Sequence, residues 1–340
     1  MAKTRLGFDI GNSSVKIVVA GSKTNLYEIR MPDNMMKEGE IAMPHAFSEF
    51  LKKERKRLKL PKGSCGLVLP TNQVICRLVT LPKMTKEQLM LNLPYEFSEF
   101  IHDDPDKFFC DYAMCEEIEE DIKEGEEEMG EQMTLMAAAA SKNRLAQYIR
   151  IFANAGFKLE TLLPGEMSLI QLTKSYCQRN PESINEFCFV DIGHHAVRIT
   201  IIKRDQVLAE RQIDLGCAQL DNVISDLMIT DPFVAGSYKL SNYQNVLDSP
   251  ECMEVYQQIA VEILRVIHFY RFKYRENQMR GIYLIGGGAS IPQLRNRISE
   301  MLEEDMPELS MLSVKELLTD SGLTPEEAAK GILAMGMTIA

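Results

Sequence analysis

The first twenty residues hold two short apolar runs around a polar break. Leu6 to Ile10 and Val15 to Ala20 flank the turn Gly11-Asn12-Ser13-Ser14, a pattern that predicts a β-hairpin with a glycine-bearing tip. The pattern returns near the middle of the chain. Phe187 to Ile192 reads as a strand, Gly193-His194-His195 as a turn, and Val197 to Ile202 as the returning strand. Laid together, Asp9 falls on Asp191, Ile10 on Ile192, Gly11 on Gly193, Val15 on Val197 and Lys16 on Arg198. An internal repeat of this kind predicts two similar half-domains, each opening with a strand–turn–strand unit.

The stretch between the repeats has its own rhythm. Phe47 to Leu58 has helical spacing, and Gly66 to Leu69 and Val74 to Leu81 read as strands around Pro70-Thr71-Asn72. Thr85 is placed to cap a helix that includes Leu89, Leu91 and Phe97. Phe108 to Met114 and Met133 to Ala140 predict a strand pair. Between them, residues 116–132 hold ten acids against one lysine, too little apolar surface to order a segment, so a mobile hairpin loop is expected. Leu145 to Ala155 predicts a helix ended by Gly156. Later come a helix around Leu220 to Met228, an irregular stretch to Pro250, and a long helix from about Met253 to Tyr274. Gly281 to Ile285 then predicts a strand that runs into Gly286-Gly287-Gly288-Ala289, and Pro325 to Gly336 a helix of small residues.

Composition narrows the function classes. The 340 residues exceed one small core, so two or more packed units are expected. The net charge of −11 argues against broad nucleic-acid binding and against docking on anionic lipid. No apolar run approaches the length of a membrane span, and the N-terminus has no signal-peptide pattern. The eight cysteines lack CxxC spacing, which predicts reduced thiols rather than a zinc site.

Three glycine-bearing turns follow strands: Asp9 to Ser14, Asp191 to His195, and Gly286 to Ser290. Such turns let backbone N–H groups approach phosphate oxygens. The hydroxyls of Ser13 and Ser14 and the ammonium of Lys16 are further candidates for phosphate contact. Asp9 and Asp191, at matching positions, suit a magnesium ion held through water. At Gly286, Gly287, Gly288 and Ala289 a nucleoside has room to lie against backbone.

This order of motifs resembles the actin, Hsp70 and sugar kinase superfamily. The two aspartate turns resemble its phosphate loops, Gly286 to Ala289 its adenosine loop, and Gly331 to Gly336 its second connecting helix. Phe8 to Lys16, Leu69-Pro70-Thr71 with Leu81-Pro82, Ala155-Gly156-Phe157, and Glu262 to Arg265 followed by His268-Phe269-Tyr270 are similar to the PilM family of type IV pilus assembly. The resemblance implies an α/β fold: a duplicated actin-like (RNase H-like) ATPase core with an inserted α+β subdomain. It implies residues 1–34 and 156–186 as the first half-domain, 35–155 as the insert and 187–340 as the second half. It further implies ATP with magnesium held between the halves by Asp9, Gly11, Asn12, Ser13, Ser14 and Lys16 on one side and Asp191, Gly193, His194 and His195 on the other. The implied partner is the cytoplasmic N-terminal peptide of a PilN-like inner-membrane protein. The implied setting is a cytoplasmic, ring-forming component of a pilus or type II secretion platform, recruited to the membrane without inserting.

Two departures qualify the resemblance. His194 and His195 stand where relatives usually carry small or hydroxyl residues, and in extended backbone they would point to opposite faces. Where relatives show an acidic Asp-Val-Glu stretch, this chain has Leu163-Pro164-Gly165, with Glu166 one step later. Glu166 is therefore the candidate for positioning an attacking water, and weak or absent hydrolysis is expected. Two alternatives stay open. An FtsA-like division protein would ordinarily add an amphipathic membrane helix, and the sequence given has none after Ile339-Ala340. A small-molecule kinase would need a base beside the phosphate turns, and none is evident.

Overall fold

The computed structural model describes residues 5–32, 34–37, 39–115, 131–181, 186–318 and 321–339. The acidic stretch expected to be a mobile loop lies outside the described residues over 116–130. The chain divides into two compact units. One comprises Met1–Ser175, Arg204–Leu208 and Leu333–Ala340, the other Tyr176–Lys203 and Ala209–Ile332.

The first unit opens with β1 (Arg5–Ile10), β2 (Ser14–Ala20) and β3 (Asn25–Arg30), paired antiparallel in sequence. A two-residue ribbon, β4 (Met36–Lys37) with β5 (Glu40–Ile41), leads to helix α1 (Pro44–Arg57) and strand β6 (Ser64–Leu69). Next comes a separate sheet in the order β7-β9-β8, from β7 (Val74–Pro82), β8 (Phe108–Met114) and β9 (Gln132–Ser141). Helix α2 (Lys86–Asn92) packs on it through a cluster of its own that includes Leu89, Leu93, Phe97 and Leu135. The Thr85 side chain accepts from the Gln88 N–H while the Gln88 side chain accepts from the Thr85 N–H, a capping box. The helix stops at Asn92, short of Phe97, because Pro94 has no N–H to continue it; residues 93–97 tighten to a 3-10 turn.

Helix α3 (Lys142–Ala155) ends on Gly156 at φ 85°, the left-handed cap that glycine supplies without a Cβ penalty. Strand β10 (Lys158–Pro164) and helix α4 (Gly165–Arg179) follow. The first sheet is ordered β10-β6-β1-β2-β3, with β6 parallel to both β1 and β10. Strand β6, within the stretch 35–155 expected as an insert, is part of the first sheet. Its fully buried apolar run, Cys65 to Leu69, needs both neighbours, whereas β7 beyond the 3-10 turn is mostly half-buried and joins the other sheet. Phe8 meets Phe152 edge-on at 5.0 Å and Phe157 at 5.1 Å, with Phe47 and Leu51 of α1 in the same core.

The second unit repeats this plan. Strands β11 (Glu186–Ile192), β12 (Val197–Lys203) and β13 (Gln206–Ile213) precede helices α5 (Cys217–Met228), α6 (Pro232–Ser241) and α7 (Pro250–Lys273). Strand β14 (Gly281–Ile285), helix α8 (Pro292–Asp305), strand β15 (Ser310–Leu312) and helix α9 (Pro325–Ile339) complete the chain. The sheet order is β13-β12-β11-β14-β15, with β11 antiparallel to β12 and parallel to β14. The stretch before Pro250, expected to be irregular, contains α6, whose start carries a plain signal: the Asp231 side chain accepts from the N–H groups of Phe233 and Val234, with Pro232 at the first helical position.

The C-terminal half of α9 belongs to the first unit. Gly7 and Gly66 face each other in the β1–β6 register. A Cβ on Gly7 would stand 1.9 Å from the Ala334 carbonyl oxygen, and one on Gly66 2.7 Å from Met337 Cε. Two side-chain-free positions on neighbouring strands therefore let α9 lie directly on the sheet. The Ser168 hydroxyl of α4 donates to the Leu333 carbonyl at 2.6 Å and fills the space a side chain at Gly336 would need.

Candidate functional site

In the first turn the Gly11 N–H donates to the Ser14 carbonyl at 2.9 Å, and the Met31 N–H to the Ser13 carbonyl at 2.8 Å. Asp9 and Lys16 are register partners across β1 and β2, and their charges meet at 3.4 Å. The Ser14 hydroxyl is buried and donates to Glu28 at 3.2 Å, while Ser13 is exposed and Asn12 half-buried. Of the candidates here, Asn12 and Ser13 sit at the tip, and Lys16 and Ser14 point to carboxylates of the hairpin itself.

The second turn closes identically, with the Gly193 N–H donating to the Ala196 carbonyl at 3.0 Å. Asp191 again stands opposite a cation, Arg198, in register. Here the guanidinium is directed to Glu210 at 3.1 Å and to Gln212 at 2.8 Å. Asp191 instead lies against the third turn. Gly286 has φ +83°, and a Cβ there would fall 2.1 Å from Asp191 Oδ1 and 2.8 Å from the Ile192 carbonyl oxygen. Gly288 is equally confined, by Ile192 Cγ2 at 2.2 Å and Cys217 Sγ at 2.8 Å, whereas Gly287 is exposed and faces open space. Ala289 is buried. The structure therefore brings Asp191, Gly193, Gly286, Gly287 and Gly288 into one site within the second unit, with Gly287 its uncrowded floor.

This turn is anchored from beneath. The Cys217 N–H donates to the Gly193 carbonyl at 3.1 Å and the Ala218 N–H to the His194 carbonyl at 2.7 Å, so the first donors of α5 are spent on the turn. Lys239 of α6 reaches Asp221 of α5 at 2.7 Å and the Cys217 carbonyl at 3.1 Å, with both charged side chains largely buried. Neither Asp221 nor Lys239 is a candidate from sequence alone, because a pair joining two helices leaves no local motif. Burial, then His195 and Lys239, push the His194 imidazole down to about 4, so it is neutral at pH 7 and offers phosphate no positive charge. The two histidine rings lie 4.5 Å apart, edge to face. The expectation that they point apart fails because residues 194 and 195 sit in the bend, not in extended strand. Among the described residues no group of three or more His, Cys, Asp or Glu could hold a metal ion, so a magnesium ion here would rely on carboxylate contact through water.

Glu166 sits in the first turn of α4, and its side chain is buried with Oε2 lacking a hydrogen-bond partner. A buried carboxylate oxygen without a partner costs roughly 1–3 kcal/mol unless water or a ligand satisfies it. Taken unit by unit, the first holds the Glu166 orphan and a closed turn, and the second holds a closed turn beside the open face at Gly287. The cysteines carry no such chemistry: burial pushes the Cys65 and Cys188 thiols up to about 12 and Cys217 to about 11.

Comparison with known proteins gives the fold and its motifs a family. The model described as "Type IV pilus assembly protein PilM" matches residues 7–337. The chain belongs to this PilM family. No curated protein matches it. Among solved structures it is similar to the "PilM-PilN type IV pilus biogenesis complex", with 22% identity, TM-score 0.77, and coverage of 100% of this chain and 98% of that one. It is also similar to the ethanolamine utilization protein EutJ from Carboxydothermus hydrogenoformans, with 12% identity, TM-score 0.58, and coverage of 100% and 90%. MreB 5 of Spiroplasma citri bound to AMPPNP gives 12% identity, TM-score 0.53, and coverage of 100% and 96%. At these identities the likeness establishes the fold, the actin-like ATPase fold expected from the sequence. No helix among the described residues is long and apolar enough to cross a membrane.

Proposed function

We propose that this PilM-family chain is a nucleotide-binding scaffold of a type IV pilus, or related type II secretion, assembly platform. It holds the N-terminal cytoplasmic peptide of a PilN-like membrane protein. Family membership over residues 7–337 carries this reading, and the full-length likeness to a PilM–PilN complex supports the partner. The location follows from the partner: the chain works at the cytoplasmic face of the membrane through PilN rather than by inserting.

ATP with magnesium is the ligand that best fits the turns. Bound, it supplies a polyphosphate whose charge the two turns and the metal share. The backbone at Gly11 to Ser13 and at Gly193 would approach phosphate, Asp9 and Asp191 would hold magnesium through water, and Gly287 with Ala289 would line the nucleoside. His194 contributes shape and hydrogen bonding rather than charge, in keeping with its depressed pKa. Glu166 would be the group that positions an attacking water, and slow turnover is expected. For the domain scheme we retain two half-domains and an insert, with β6 assigned to the first half.

Calorimetric titration of the purified chain with ATP, with and without magnesium, and then with a PilN-type N-terminal peptide, tests the reading. Binding of both ligands with little phosphate released is the expected result. Peptide binding without nucleotide binding would remove the nucleotide half of the proposal, and nucleotide binding without peptide affinity would remove the scaffold half.

A further inference from the structure

One surface of the second unit departs from the acidic character of the chain. Residues 265–280, the end of α7 and the segment after it, carry Arg265, Arg271, Lys273, Arg275 and Arg280 against a single acid, Glu276, in a chain of net charge −11. Two of these cations are locally matched, Arg265 by Glu262 at 2.6 Å and Arg271 by Glu308. Lys273, Arg275 and Arg280 are exposed, with His268 exposed alongside. On the same helix end Phe269 is 58% and Phe272 74% exposed. Their spacing of three puts them on one face, and exposed aromatic surface of this kind marks an interaction site.

The surface is preformed. Tyr270, between the two phenylalanines, turns inward and donates to Glu186 Oε1 at 3.0 Å, and Glu186 Oε2 accepts from the Gln278 N–H at 2.9 Å. The helix end and the returning segment are thus pinned to one buried carboxylate, and Lys273 lies over the Tyr274 ring at 5.0 Å. A docked segment would find the phenylalanines and cations already in place and would not have to order them.

The chain itself contains a complement. Residues 116–131 hold ten acids against Lys123, with Ile118 and Ile122 four apart among them. This composition offers carboxylates to Lys273, Arg275 and Arg280 and apolar contact to Phe269 and Phe272. We propose that the basic–aromatic end of α7 docks the acidic segment 116–131 of a second copy. Each copy carries one donor and one acceptor surface, so the contact is head-to-tail and propagates to a ring or an open string. The contact uses none of the residues of the three glycine-bearing turns.

The test uses a labelled peptide of residues 116–131, added to the full chain at low and high salt, together with sedimentation of the chain over a concentration series. The expected results are saturable binding that weakens with salt, self-association that grows with concentration, and loss of both in the double variant Lys273→Glu/Arg275→Glu by about tenfold or more. Phe272→Ser should weaken the peptide without changing the salt slope, and deletion of 116–130 should abolish self-association while the peptide still binds. Circular dichroism of each variant confirms folding. No peptide binding would overturn the proposal. So would peptide binding by a chain that stays monomeric throughout, which would place the segment on its own copy. Binding of anionic vesicles in place of the peptide, lost in the same variants, would overturn it in favour of a lipid surface.

Discussion

The two aspartate turns share a closing hydrogen bond, a register and a charge opposite the aspartate, yet they are supported differently. In the first, Lys16 faces Asp9, Ser14 faces Glu28, and the Ser13 carbonyl at the tip accepts from the Met31 N–H just past β3. In the second, Arg198 reaches Glu210 and Gln212, Asp191 lies against Gly286, and α5 holds the turn carbonyls from below with Lys239 locked to Asp221. The same local pattern has become a self-contained hairpin in one unit and the keystone of a packed cluster in the other. A duplicated motif therefore keeps its backbone geometry, which is local, while its neighbours decide how much change it tolerates.

The largest expected effect comes from that support. Lys239→Met leaves Asp221 buried without its cation and should destabilise the protein by about 3–5 kcal/mol, read by chemical denaturation. Pairing it with Asp221→Asn should recover much of the loss. If Lys239→Met changes stability by less than a few tenths of a kcal/mol, the second turn is not anchored as described.

Glycine substitutions separate the turns more directly. A Cβ on Gly193 would press 2.8 Å from the Ala196 carbonyl oxygen across the closing bond, whereas one on Gly11 would stand 3.2 Å from that of Ser14. Gly193→Ala should cost about 1–3 kcal/mol through overpacking, and Gly11→Ala under about 1 kcal/mol. Equal losses in the two variants would erase the distinction.

On the ligand side, Asp9→Ala should weaken magnesium-nucleotide binding by about 1.5–3 kcal/mol, the value of a charge-assisted contact. Calorimetry at saturating magnesium reads it directly. An unchanged affinity would remove the first turn from the site.

A modest effect is a pH dependence arising at the second turn. The folded His194 titrates near 4 against 6.5 for the free side chain. As pH falls from about 6.5 to 4, the unfolded chain takes up a proton that the folded chain refuses, so stability is lost across that window. Allowing for solvent screening of a partly exposed ring, the loss is about 1 kcal/mol. His194→Gln should remove that part of the slope; identical pH profiles for both proteins between 6.5 and 4 would refute the shift.

Much of the architecture was legible in the chain because it depends on short-range rules. The doubled strand–turn–strand pattern, the Thr85 cap, the Gly156 stop and the β8–β9 pair are each written in a few neighbouring residues, and family resemblance extended them to the actin-like fold. Helix α6, inside the stretch expected to be irregular, has an equally local start signal in Asp231-Pro232. What the sequence could not specify is partnership at a distance. Nothing near Ser64–Leu69 says that it joins β1 rather than β7, because an apolar run is satisfied by any two buried neighbours. Nothing near Gly7 and Gly66 says that α9 lies across them, or that Asp191 meets Gly286. Those choices follow from which elements bury which faces together, and only the packed tertiary structure decides them.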